Sequence, residues 1–234
     1  MMVCKYTGKK PLIGIVLTLI GKVLLPVPLK LIYGLRIIGR KNLNKVKYTG
    51  VITVSNHCLY IEPAFTGLAL WNRQVWYIVE EQNIVRRDVG WLNKLLGAVG
   101  IPSNAPQSIV RTVKQLLQTK RAVHFFPEGK LFYQNTRIKP YHRGAFFCAV
   151  TCNVPVLPVT EVLTERKLSG VFPFLPPKVC IVIGKPVFPE QIRTWYQDSR
   201  PSTRTFGLSN YFAAYIRTVM QKTIDTERNK CRKR

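Results

Sequence analysis

Short apolar runs rich in β-branched residues recur along the chain with helical stretches between them, and few folds accept that alternation. Val51-Ile52-Thr53-Val54, Val75-Trp76-Tyr77-Ile78-Val79, Ala98 to Pro102, Ala122-Val123-His124-Phe125-Phe126, Val154 to Thr160 and Val179 to Gly184 each read as strands. The intervening helices are expected over about Pro63–Trp71, Gly90–Leu96, a stretch capped by Asn104 with Pro106 in its first turn and running to Lys120, and Gly144–Asn153. A last helix takes Phe206 to Arg228 and ends in a frayed basic tail. The prolines of the Val154–Thr160 run mark it as a strand start or an exposed edge. His124, inside its run, reads as a core histidine satisfied by a neighbour. In 234 residues this pattern predicts one α/β domain with a mixed, largely parallel sheet flanked by helices.

Ahead of the first strand lies a different kind of segment. Pro11 to Val27 is almost wholly apolar, interrupted by Lys22, and a second run, Leu29 to Ile38, carries Lys30 and Arg36. A spanning helix needs about 20 apolar residues, and Pro26 and Pro28 break the first run short of that. The expectation is two short helices lying in a membrane interface, with one true span or a core helix hairpin as the alternatives, and with residues 1–45 as a basic apolar anchor and 46–234 as the globular domain. Lys9, Lys10, Lys30, Arg36, Arg40, Lys41, Lys45 and Lys47 suit anionic headgroups. The formal net charge of +25 implies a polyanionic partner. With 47% hydrophobic residues, no zinc-finger spacing and no RNP-type motif, that partner reads as an anionic membrane surface rather than nucleic acid. The basic flanks place the chain on the cytoplasmic face of a membrane, monotopic or peripheral, with both termini on that side. Six cysteines without a C-x-x-C pair read as reduced thiols, not as a metal site.

The candidate chemistry follows the first strand, in Ser55-Asn56-His57-Cys58-Leu59-Tyr60-Ile61-Glu62-Pro63. On one ideal helix His57 and Glu62 would point about 140° apart. They meet only if His57 sits in a turn and Glu62 in the first helical turn after it. An imidazole held on one nitrogen by a carboxylate is the usual general base. Cys58 is a poor nucleophile for His57, because sequence neighbours in a turning segment point apart. The second motif is Phe125-Phe126-Pro127-Glu128-Gly129-Lys130, where Gly129 permits a close approach and Glu128 can accept from a polyol or anchor a basic group.

Asn-His-x4-Glu followed by Phe-Pro-Glu-Gly, with the later block Val154-Pro155-Val156-Leu157-Pro158-Val159, resembles the membrane-associated glycerolipid acyltransferases, in particular the 1-acylglycerol-3-phosphate type. The likeness runs from about Val51 to Val187. It implies acyl transfer from acyl-CoA or acyl-carrier protein to the free hydroxyl of a lysophospholipid acceptor, 1-acylglycerol-3-phosphate, with no metal or prosthetic cofactor. Glycerol 3-phosphate or another lysolipid is the alternative acceptor, and a non-catalytic membrane-binding relative is the alternative role. By resemblance His57 and Glu62 are catalytic, and Asn56, Glu128 and Gly129 bind substrate. The family's first block carries Asp where this chain has Glu62. Its second block carries an arginine for the acceptor phosphate that Gly100-Ile101-Pro102-Ser103-Asn104-Ala105 does not supply. Arg137, Lys139 and Arg143, in the stretch that follows Phe-Pro-Glu-Gly, are the substitutes for that clamp.

Overall fold

The computed structural model describes residues 11–88, 90–101, 108–117, 121–166, 175–196 and 204–232. Helices α1 (Leu12–Leu24) and α2 (Pro26–Tyr33) come first, bent 51° from each other, and β1 (Arg36–Ile38) follows. A 3-10 turn (Arg40–Val46) leads to β2 (Val51–Val54), α3 (Glu62–Ala69), β3 (Val75–Glu80), α4 (Gln82–Val85), α5 (Gly90–Leu96) and β4 (Ala98–Ile101). Then come α6 (Ser108–Leu117), β5 (Ala122–Phe125), α7 (Gly144–Cys152), β6 (Val156–Thr164), β7 (Lys178–Ile183), α8 (Pro189–Trp195) and α9 (Arg204–Arg232).

The seven strands form one sheet in the order β1-β7-β6-β2-β5-β3-β4. Every neighbouring pair is parallel except β6 with β7. The mixed, largely parallel sheet expected from the alternation is therefore present. Period-2 alternation sends successive side chains to opposite faces. In β2, Ile52 and Val54 join one core with Val113 and Leu116 of α6, Phe146 of α7 and Phe212 of α9. Val51 joins the other, with Leu29 of α2, Leu43, and Phe65 and Leu68 of α3. Along α9, Leu208, Phe212, Ile216, Met220 and Ile224 make a single buried stripe at helical spacing. Each such side chain contributes about 1.5–3 kcal/mol by leaving water.

Three expectations are corrected. The Leu29–Ile38 run is not one helix: α2 ends at Gly34 and Arg36–Ile38 pair in register with Cys180–Val182 of β7. Residues 36–45 thus belong to the sheet domain rather than to an anchor over 1–45, because Leu43 is buried in the core beneath β7. Pro158 lies in an interior strand, not at an edge. Its missing N–H falls where β6 passes from the isolated Val156–Val187 bridge to the β7 ladder, and its carbonyl still accepts from Gly184 N–H at 2.9 Å. The basic tail is helical as far as Arg232, with Arg228 donating to Leu163 O at 3.0 Å. The Asn104–Pro106 helix start and Lys120 lie outside the described residues.

Helix α1 is docked on the domain. A Cβ at Gly14 would stand 2.2 Å from Leu95 O, so only glycine lets α1 approach α5 this closely. Lys22 donates to Trp71 O at 2.7 Å and Arg73 O at 3.1 Å, just past the end of α3. Its ammonium turns inward to the protein, and burial lowers its pKa. The outer surface stays apolar: Leu12, Val23 and Leu31 are each about three-quarters exposed, and Trp71 and Trp91 are exposed nearby in the chain segments α1 packs on.

Candidate active site

Strands β2 and β5 are neighbours, with Val54 opposite Phe125, and each runs on into one of the two motifs. His57 and Glu128 stand three residues beyond that pair, at the carboxyl ends where open α/β sheets place their ligands. Glu128 Oε1 accepts from His57 N–H at 2.9 Å and Oε2 from Lys139 N–H at 2.9 Å. One carboxylate thus ties the His57 turn to the loop after β5. The loop is fastened a second time, by Phe132 N–H to His57 O at 2.9 Å and Gln134 N–H to Cys58 O at 2.8 Å. Gly129 turns between them at φ +73°, a conformation that favours glycine, with the His142 ring 3.0 Å from where a Cβ would be.

His57 and Glu62 meet as the spacing required. The chain turns after His57, and Glu62 opens α3 with Pro63 behind it. Glu62 Oε2 bonds His57 Nδ1, and Oε1 accepts from Cys58 N–H and from Leu59 N–H, the latter at 2.5 Å. The carboxyl is fully buried while the imidazole is 23% exposed, so the pair opens to solvent through the ring. The longer side chain of Glu, against the family's Asp, spans the turn. With Nδ1 committed, Nε2 is the nitrogen that meets a substrate proton. The ring stacks on Phe126 with centroids 4.2 Å apart.

Beneath the turn the site is closed and polar. Asn56 grips β6 with its whole amide: Nδ2 donates to Glu161 O at 3.0 Å and Oδ1 accepts from Glu161 N–H at 2.9 Å. Cys58 Sγ donates weakly to Glu161 Oε2 at 3.9 Å. Burial first, with the Glu62 charge beside it, pushes the Cys58 thiol far up, so it is no nucleophile. His124 is fully buried, with Nδ1 paired to Thr53 Oγ1 at 2.9 Å and Nε2 to Ser55 Oγ at 3.1 Å. Burial, with His57 nearby, lowers its pKa to about 3 and keeps it neutral, the satisfied core histidine expected. The described cysteines 58, 148, 152, 180 and 231 are free thiols.

Asn56 and Glu128 make their hydrogen bonds within the protein. Both are buried and their polar atoms are used on backbone groups of the protein itself. Of the basic residues after Gly129, Lys139 touches the site through its N–H, with its ammonium 5.5 Å from the centre of the Phe132 ring. Arg137 is exposed on the same loop, its N–H bonded to Asn135 Oδ1 at 3.1 Å. Arg143 is exposed but leans onto Phe206 of α9, 4.7 Å from the ring centre. Sequence reasoning missed Glu161, although an acid within the apolar run Val159-Thr160-Glu161-Val162-Leu163 is a visible signal. It also missed Arg217 and Gln221 of α9. Arg217 Nε and Nη2 donate to Ile138 O at 3.1 and 3.0 Å, and Gln221 Oε1 accepts from Ile138 N–H at 2.9 Å.

A family model described as Acyltransferase matches residues 34–162, more than half of the chain, including both motifs and β1. The chain belongs to the acyltransferase family. The chain is 31% identical over 121 residues to the 1-acyl-sn-glycerol-3-phosphate acyltransferase BAT2, chloroplastic, of Brassica napus. The alignment takes in 50% of the chain and 34% of the plant protein, so the chain spans about a third of that relative's length. The crystal structure of the 1-acyl-sn-glycerophosphate acyltransferase PlsC from Thermotoga maritima superposes with a TM-score of 0.55 at 19% identity. It covers 82% of this acyltransferase and 71% of that chain. At that identity the likeness establishes a shared fold.

Proposed function

We propose that this acyltransferase moves a fatty acyl group from an acyl thioester, carried by CoA or acyl-carrier protein, to the free hydroxyl of 1-acylglycerol-3-phosphate at an anionic membrane surface. The observation that carries the reaction is the His57–Glu62 pair, with one imidazole nitrogen locked by a buried carboxylate and the ring open to solvent. Nε2 takes the hydroxyl proton as the oxygen attacks the thioester carbonyl. The tetrahedral intermediate then expels the thiolate, which receives that proton from the imidazolium. Glu62 holds the tautomer and steadies the imidazolium. The N–H groups of His57, Cys58 and Leu59 are all committed to carboxylates, so the oxyanion draws on other donors. The thioester supplies its own leaving group, so the reading includes no metal or prosthetic group.

The acceptor is proposed from the plant relative's name. In place of the arginine missing after Gly100, Arg137 and Lys139 supply positive charge on the exposed loop tied to the His57 turn. The membrane surface is supported by the apolar outer face of α1 and α2 and by the net charge of +25. Among the described residues no single helix is long and apolar enough to cross a membrane, though α1 and α2 together pass as a bent pair. The cytoplasmic face is proposed from the basic residues that flank these helices.

The test is acyl transfer by purified protein from labelled acyl-CoA and from acyl-carrier protein to a panel of glycerol 3-phosphate and lysolipids. His57→Ala should lower the rate at least about 10²-fold without unfolding the chain. Alanine at Arg137 or Lys139 should raise the KM for 1-acylglycerol-3-phosphate far more than that for the donor. Transfer by His57→Ala within a few-fold of the parent would refute the mechanism.

A further inference from the structure

Glu161 is a charged residue type in the middle of a core strand, and its position is held tightly. It is 1% exposed, and Asn56, the residue before His57, grips both its N–H and its carbonyl. Its carboxyl, the Glu62 carboxyl and the Cys58 sulfur each bring an atom within 4.8 Å of the others. The two carboxyls have opposite surroundings. Glu62 accepts from two backbone N–H groups and bonds the imidazole. Glu161 Oε2 accepts from the thiol at 3.9 Å, and among the described residues Oε1, taken as a carboxylate oxygen, has no hydrogen-bond partner. Two adjacent buried carboxyls do not both carry charge. A proton on Glu161 lets its carboxyl donate to the Glu62 carboxylate beside it.

We propose that Glu161 is a positioning residue for the catalytic pair, a neutral carboxylic acid whose proton is shared with Glu62, steadying Glu62 against His57 and keeping one negative charge instead of two under the imidazole. Burial and the Glu62 charge both push the Glu161 carboxyl well above the usual carboxylate range, in agreement with this. The groups facing the pair are His57 and Cys58 from the turn after β2, Tyr77 from β3, His124 in β5 and Glu128 beyond it. Of these the thiol, the phenol and His124 stay neutral, because burial pushes each away from its charged form. The Cys58 thiol is the other protonated group near Glu62.

Two measurements test this, and only the first rests on the acyl-transfer reading. In the pH profile of kcat/KM, Glu161→Gln should leave the acid limb in place, because the carboxamide still donates to Glu62. Glu161→Leu removes the donor, lets the full Glu62 charge act on the imidazolium, and should move that limb up by about one pH unit. A downward shift in Glu161→Gln would show that an anion had been removed, and an unmoved limb in Glu161→Leu would show no coupling; either overturns the proposal. The second measurement needs no substrate and no apolar variant. Infrared difference spectra of the parent against Glu161→Gln at neutral pH should contain the carbonyl band of a protonated buried acid, and a carboxylate band in its place overturns the assignment.

Discussion

His57 is held at two ends by two carboxylates: Glu62 takes its side chain and Glu128 takes its backbone N–H. Rotation of the ring and drift of the turn are restrained separately, which is what a base acting along one direction requires. His124, behind it, has a cost that depends on pH. Its folded pKa is near 3 against an ordinary 6.5, so below about 6.5 the unfolded chain binds a proton the folded chain refuses. Its contribution to stability is complete above that value and is lost as pH falls toward 3, at up to about 1.4 kcal/mol per unit. His124→Gln, which keeps hydrogen-bonding capacity toward Thr53 and Ser55, should therefore show a flatter loss of stability on acidification. Urea midpoints of parent and variant between neutral pH and about pH 5 measure the difference. Parallel curves would mean that His124 takes up its proton in the folded state.

Helix α3 is short, yet both of its ends are used. Glu62 opens it, and in its last turn Arg40 donates to Leu68 O at 3.2 Å while, just past its end, Lys22 holds Trp71 O and Arg73 O. An acid at the start and cations at the end both suit the helix dipole. Helix α9 acts on the site from farther away. Arg217 and Gln221 fix Ile138, whose neighbour Lys139 gives its N–H to Glu128, which in turn holds His57. Gln221→Ala should cost about 1 kcal/mol of stability and lower kcat with the donor KM little changed. Melting curves and steady-state kinetics check this, and an unchanged kcat would confine α9 to packing. The strands were legible because β-branched runs of four to six residues have one comfortable conformation on a pleated sheet. Strand β1 was not: three residues, one of them Arg36, continue an apolar run and carry no alternation to separate them from the helix before. The His57–Glu62 contact was legible because it lies within one turn. Asn56 with Glu161, and Glu128 with His57, were not, because strand order decides them. Nothing local in the sequence says that β2 lies between β5 and β6.

At the scale of the molecule, positive charge and an apolar helical pair act together. Charge attraction to anionic lipid is screened by salt, whereas burial of Val23, Leu31 and their neighbours is not. The protein should stay on anionic vesicles in high salt. The double variant Val23→Glu with Leu31→Glu should release it under the same conditions while keeping its melting temperature, since both side chains are exposed. Co-sedimentation at low and high salt reads the outcome, and release of the parent protein by salt alone would leave charge as the sole attraction. Lys22 adds something a flexible tether would lack. Because its ammonium is fastened to the loop that follows α3, and Gly14 lies flush against α5, α1 and the sheet domain move as one piece. On a bilayer such a molecule does not swing. On the proposed bilayer contact the tilt of the sheet and the height of His57 above the headgroups would be set when the chain folds, and meeting an acceptor would become a search within a plane.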